Sequence, residues 1–181
     1  MIYITSDLHL GHDKDFLYKP RGFHDIYSHN VCVLANFHKV VKPEDDLYIL
    51  GDVFLGDNEK GMSMFHQLPG KIHLVWGNHD TDTRKALMAE SWNVVEVCGY
   101  ATMLKYHKYH FYLSHYPTIT SNYDLDKPLK ARVINLCGHT HTPSKFEDIN
   151  KGLIYHCELD AHNCFPVSID DIITDLKGEI K

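Results

Sequence analysis

The 181-residue chain has no C-x-x-C pair, and its five cysteines are odd in number. That argues against a disulfide framework or a structural zinc knuckle and suits a reducing compartment. No apolar run approaches the length of a membrane span, and no charged leader precedes the first apolar stretch, so a cytoplasmic protein without a membrane partner is expected. Positive charge is scarce: 18 Lys and Arg stand against 24 Asp and Glu, a net charge of −6. A molecule of this balance is not built to coat nucleic acid or lipid head groups, and only a local basic groove including Lys127, Lys130 and Arg132 keeps nucleic acid open as a disfavoured partner. Internal repeats, low-complexity segments and a second domain are also missing. A single domain over residues 1–181 is expected, long enough at 44% hydrophobic content to bury a sizeable core.

What the chain has in quantity is histidine, fifteen residues in all, many beside Asp or Asn. Four short apolar runs end abruptly in polar side chains. Ile2-Tyr3-Ile4-Thr5-Ser6 runs into Asp7-Leu8-His9, and Leu47-Tyr48-Ile49-Leu50 into Gly51-Asp52. Leu74-Val75-Trp76 runs into Gly77-Asn78-His79-Asp80, and Val133-Ile134-Asn135-Leu136-Cys137 into Gly138-His139-Thr140-His141. Open α/β sheets bind ligands outside the carboxyl ends of their strands, so these four stretches predict strands that deliver a site.

Between them, residues 10–24 read as a loop carrying His12, Arg21 and His24. Apolar spacing predicts a helix over about 26–41, with His29 and His38 on its solvated side. Short helices are expected over 59–68 and from a Thr81 cap to about Ala89, with Asp80 as an alternative cap. The period then changes to two, predicting strands over 94–98, 100–106 and 109–114 as a meander, with Val94, Val95, Val97, Tyr100, Met103 and Phe111 in the core. His107 and His110 are expected exposed. The third of these strands ends in Ser114-His115-Tyr116-Pro117. A long loop over 118–131 precedes the strand at 133–137. A linker over 142–152, a strand over 153–159, a turn at Asp160, His162 and Asn163, and a helix over 169–177 stopped by Gly178 complete the chain.

Asp7, His9, Asp52, Asn78, His115, His139 and His141 all follow predicted strand ends. Carboxylate, imidazole and amide donors without thiolate suit first-row divalent ions: manganese first, with iron, nickel, zinc or cobalt as alternatives. Seven donors exceed one tetrahedral ion and match two ions sharing a carboxylate, an arrangement suited to displacement at phosphorus.

Taken in order, Asp7-x-His9, Gly51-Asp52, Gly77-Asn78-His79-Asp80, His115 and Gly138-His139-x-His141 resemble the motif series of the calcineurin-like metallophosphoesterases over essentially the whole chain. The resemblance implies an α/β fold, a four-layer α/β/β/α sandwich of two mixed sheets flanked by helices, with metals at the strand ends. It implies that Asp7, His9 and His141 hold one ion, that Asn78, His115 and His139 hold the other, and that Asp52 bridges them. It implies a phosphoesterase in which hydroxide bridging the two ions attacks phosphorus in line, with His79, which the family does not use as a ligand, as the candidate acid for the leaving group. Asn78, Arg21 and His12 are candidate substrate contacts. The chain departs from the protein Ser/Thr phosphatases, whose second motif continues Asp-x-x-Asp-Arg; here Val53, Phe54, Leu55 and Gly56 follow Asp52. Without that dianion clamp a phosphodiester is favoured, small or nucleotide-like. A nuclease of the same chemistry is the alternative. A non-catalytic metal-binding scaffold is disfavoured because no ligand of the series is missing.

Overall fold

The structure, a computed structural model, describes residues 1–120, 127–147 and 153–179. Its first sheet runs in the order β4-β3-β2-β1-β9, built from β1 (Ile2–Thr5), β2 (Asp46–Leu50), β3 (Lys71–Val75), β4 (Val94–Gly99) and β9 (Val167–Ser168). The first four strands are mutually parallel, and β9 is antiparallel to β1. The parallel crossovers are made by the helices α2 (Ile26–Val40), α3 (Asn58–Phe65) and α4 (Asp82–Ala89). Each begins at an acidic or hydroxyl cap: Asp25 accepts from Ser28 N, Asp57 from Lys60 N, and Thr81 from Arg84 N.

The second sheet has the order β5-β6-β7-β8, from β5 (Ala101–Tyr106), β6 (Tyr109–Ser114), β7 (Val133–Cys137) and β8 (Ile154–His156). Here β6, β7 and β8 are parallel and β5 pairs antiparallel with β6. Two apolar cores result. One joins Ile4, Leu50 and Val75 to Phe111, Leu136 and Tyr155 of the second sheet and to Ile172 and Leu176 of α5 (Ile169–Glu179). The other packs Leu47, Ile49, Ile72 and Leu74 beneath Val33 and Phe37 of α2 and Met88 of α4. The fold is α/β, two mixed sheets with helices flanking them, as the motif series implies. A parallel bridge between Ser6 and Glu158, with Ser6 N donating to Cys157 O at 3.1 Å, stitches the sheets together at their carboxyl ends.

Several local expectations are corrected. The apolar alternation from 94 to 114 does not form a meander, because β4 pairs with β3 and only β5 pairs with β6. Gly99, at φ +75°, turns the chain from one sheet into the other. Both β4 and β5 are edge strands, so Val95, Val97 and Met103 are exposed, as is Tyr100 in the turn between them, whereas Phe111 is buried. Residues 10–24 contain one helical turn, α1 (Asp15–Tyr18). Gly178 does not stop the last helix, which continues to Glu179. The long-loop and linker expectations fall partly on residues 121–126 and 148–152, outside the described residues. No helix among the described residues is long and apolar enough to cross a membrane, and all five cysteines are free thiols.

Candidate metal centre

Because β1, β2 and β3 run parallel in one sheet and β6, β7 and β8 in the other, their carboxyl ends form a common edge. Asp7 and His9 follow β1, Asp52 follows β2, Asn78 follows β3, His115 follows β6, and His139 and His141 follow β7. The structure brings all seven together. Donor atoms of Asp7, His9 and His141 lie within 4.8 Å of one another, as do those of Asp7, Asp52 and His115. Asp7 Oδ1 is 3.6 Å from Nε2 of both His9 and His141. Asp52 Oδ2 stands 3.6 Å from His9 Nε2 and 3.6 Å from His115 Nε2, between the two groups. Asn78 Oδ1 meets His115 Nε2 at 2.7 Å and His139 Nδ1 at 3.0 Å.

The backbone is bent to achieve this. Asp7, His9, Asp52, His139 and His141 all have φ between +48° and +77°, and only three further non-glycine residues among those described share that left-handed region. Strain of this kind costs of order 1–3 kcal/mol per residue and concentrates at functional sites. Close approach requires glycine beside the carboxylates: a Cβ on Gly77 would stand 2.2 Å from Asp52 Oδ1, and one on Gly138 2.2 Å from Asp7 Oδ2.

The donor set fits divalent cations on an observation independent of any motif. Asp7 Oδ1 and His9 Nε2 are fully buried and have no hydrogen-bond partner among the described residues. A buried polar atom left in that state costs about 1–3 kcal/mol, more when charged, and a cation is a partner that a carboxylate oxygen and an imidazole nitrogen could share. The neighbouring bonds orient the rings. His141 Nδ1 donates to Asp160 Oδ2 at 3.0 Å and His115 Nδ1 donates to the Leu50 carbonyl at 2.8 Å, leaving each Nε2 lone pair for the centre. Burial pushes the His9 imidazole down to about 4, so it is a neutral donor at physiological pH. Burial would raise the Asp7 carboxyl, but the surrounding imidazoles of His9, His115 and His141 outweigh it and hold it below the ordinary range. Asp52 is lifted by burial to about 6, against the opposing pull of His115.

The other predicted residues are placed less simply. His79 uses its backbone N–H to bind Asp52 Oδ1 at 2.8 Å, while its ring is exposed with its centroid 5.7 Å from that of His9. His12 Nδ1 is 3.2 Å from His9 Nδ1, the two rings stacked. Arg21 is not a phosphate clamp in this geometry. Its side chain is 1% exposed and its guanidinium is committed to Asp160 at 2.6 Å and to the Asp7 carbonyl at 2.9 Å. His29 is fully buried rather than solvated, because Arg21 Nη1 covers its Nε2 at 2.9 Å. Arg132 is likewise buried, with Nε on the Lys127 carbonyl at 2.6 Å, which removes it from any basic groove.

Two residues carry more than the sequence reading gave them. Asp80 does not cap α4, where Thr81 does; its carboxylate accepts from Gly77 N, Asp52 N and Val53 N, tying the β2 and β3 ends into one unit. The only sequence signal for it was its place in Gly77-Asn78-His79-Asp80. Asp160 joins Arg21 to His141, and those two partners hold its carboxyl down at about 2 despite burial. His162 is turned away, with Nε2 on the His156 carbonyl at 2.8 Å.

Residues 1–158 match the calcineurin-like phosphoesterase superfamily domain. An uncharacterized protein of Methanocaldococcus jannaschii is 29% identical over 183 residues, spanning 99% of this chain and 93% of its own. The gene 66 protein of Mycobacterium phage L5 is 28% identical over 163 residues, 78% of this chain and 77% of its own. Among solved structures, a protein of unknown function from Aquifex aeolicus superposes with a TM-score of 0.67 at 25% identity, covering 96% of this chain and 98% of that one. A structure described as a novel archaeal phosphodiesterase shares the fold at a TM-score of 0.51 and 19% identity, covering 86% and 81%. The matched domain takes in all seven clustered donors: the chain belongs to the calcineurin-like phosphoesterase superfamily, whose members are metal-dependent hydrolases of phosphate esters.

Proposed function

We propose that the chain is a phosphodiesterase using two divalent cations, manganese foremost, and that its substrate is a small or nucleotide-like diester. The observation that carries the reading is the pair of buried, unpartnered atoms Asp7 Oδ1 and His9 Nε2, with Asp52 Oδ2 standing between His9 and His115. Asp7, His9 and His141 would hold one cation, Asn78, His115 and His139 the second, and Asp52 both. Bound there, the cations supply charge neutralisation at the phosphoryl oxygens and acidify water. The oxygen and nitrogen donors, with no thiolate among them, support a first-row divalent cation.

The remaining chemistry belongs to the side chains. His79, exposed beside His9, is the proton donor to the leaving oxygen. With a cation held at His9 Nε2, the His9 proton would lie on Nδ1 and donate to His12 Nδ1. That would fix the His12 proton on Nε2, as a donor for a substrate oxygen. Diester preference is supported by the absence of an Asp-x-x-Asp-Arg continuation after Asp52 and by the commitment of Arg21 to Asp160. A dianionic monoester would want that guanidinium free.

Hydrolysis of bis-p-nitrophenyl phosphate should appear on addition of manganese, nickel, cobalt or zinc and disappear in Asp52→Asn. Inactivity with all four cations would overturn the proposal.

A further inference from the structure

Two aromatic side chains stand exposed at the edges of the metal centre, one beside each ligand group. Phe16 is 72% exposed and its ring packs edge-on against His12 at 5.7 Å, which in turn stacks on His9 at 5.2 Å. Tyr116 is 52% exposed and its ring packs against His139 at 4.6 Å and His115 at 5.2 Å. Neither is needed by the fold. The buried residues of α1 are Leu17 and Tyr18, not Phe16. The apolar contacts of the β6 end are made by Phe111 and Leu113.

Both backbones are nevertheless held in place. The turn that carries Phe16 is closed by Leu17 N on the Lys14 carbonyl at 2.9 Å and Lys19 N on the Asp15 carbonyl at 3.1 Å. The Tyr116 carbonyl receives Ser114 Oγ at 2.8 Å and Thr118 Oγ1 at 3.0 Å. An exposed aromatic on a fixed backbone offers a flat contact surface at low entropic cost.

We propose that Phe16 and Tyr116 are stacking platforms for the two bases of a short single-stranded nucleotide diester whose phosphate is held at the metal centre. The proposal rests on the phosphodiesterase reading and names its substrate class. A diester between two nucleosides carries one base on each side of its phosphate, and the two rings flank different ligands of the centre, Phe16 through His12, which stacks on His9, and Tyr116 directly on His115 and His139. Bases in a duplex are already paired and stacked, so a duplex is excluded, whereas unpaired bases stack on aromatic side chains without regard to sequence. The net charge of −6 weighs against a long polyanion, whose binding is driven by many phosphate contacts, and limits the substrate to a dinucleotide or short oligonucleotide.

The test compares the metal-loaded protein with its Phe16→Ala and Tyr116→Ala variants on a diadenosine dinucleotide and on methyl p-nitrophenyl phosphate. A calorimetric titration with the non-hydrolysable methylenephosphonate dinucleotide, in which CH2 replaces the leaving oxygen and the phosphoryl charge is kept, runs alongside. Each alanine variant should raise KM for the dinucleotide, and weaken binding of the methylenephosphonate, by about fivefold to a hundredfold. The dinucleotide should lose more than the methyl ester, and Tyr116→Phe and Phe16→Tyr should restore binding. Equal losses on both esters, or methylenephosphonate binding that is absent in the wild type or unaffected by the alanine variants, would overturn the stacking proposal. Failure of the wild-type protein to hydrolyse either diester would instead sink the phosphodiesterase reading, with the calorimetric arm still deciding whether bases stack.

Discussion

Arg21 and Asp160, 139 residues apart in the chain, meet in a buried ion pair at 2.6 Å, and that pair joins the predicted metal ligands to the rest of the molecule. From Arg21 the contacts run to the carbonyls of Asp7 and Leu8 and to His29 of α2; from Asp160 they run to His141. A buried pair of this kind is weak evidence for stability in itself, since desolvation offsets much of its attraction. Its value here is positional. One carboxylate fixes the tautomer and direction of His141 while one guanidinium fixes the backbone that bends to deliver Asp7.

Removing one partner leaves the other charged and buried. Asp160→Ala should therefore destabilise the metal-free protein by about 3–5 kcal/mol in denaturant unfolding. Because His141 loses its orienting acceptor, metal affinity measured by calorimetry should also fall by about 10- to 100-fold. The two readouts separate the roles: lost stability with unchanged metal affinity would make Asp160 a counterion for Arg21 and nothing more.

His29 makes a second prediction, on pH. Arg21 can only donate, so His29 Nε2 accepts from Nη1 and the ring is neutral, its Nδ1–H on Asn30 Oδ1. Burial, followed by the charge of Arg21, pushes it down to about 4 from an ordinary value of 6.5. The unfolded chain then takes up the proton first as pH falls. His29 therefore contributes stability that is fully present above about pH 6.5 and is lost as pH drops toward 4, amounting to about 3 kcal/mol at the end. Unfolding of the metal-free protein at pH 7 and pH 4.5, with and without His29→Gln, measures it. The variant should lose less stability between the two pH values than the wild type, and parallel losses would contradict the assignment.

The clustering of the seven residues was legible in sequence because each follows an apolar run that stops at polar residues, and such punctuation is local. Asp80, Asp160 and His29 were not, because what fixes them is remote: Asp80 binds backbone 27 and 28 residues away, and Asp160 answers to Arg21. A helical period placed His29 on a polar face without any means of showing that a guanidinium covers it. The allegiance of β4 was hidden for a different reason. Alternating apolar residues read the same in either sheet, and the change of sheet turns on the backbone of Gly99. Edge position then explains why Val95 and Met103, patterned like core residues, are exposed.

His79 divides backbone from side chain in a way that makes the last prediction sharp. Its N–H holds Asp52 Oδ1 at 2.8 Å, a contact that survives any substitution except proline, while its exposed ring makes no metal contact in the predicted ligand set. His79→Ala should therefore retain metal affinity within a small factor by calorimetry. Proton donation matters most where the leaving oxygen is basic, so the variant should lose about 10²- to 10⁴-fold in kcat on alkyl diesters. The loss should be far smaller on p-nitrophenyl diesters, whose leaving group departs without help. A plot of log kcat against leaving-group pKa should accordingly be steeper for the variant than for the wild type. Loss of bound metal in His79→Ala, or an equal rate loss across leaving groups, would show that the ring supports the centre instead of supplying the proton.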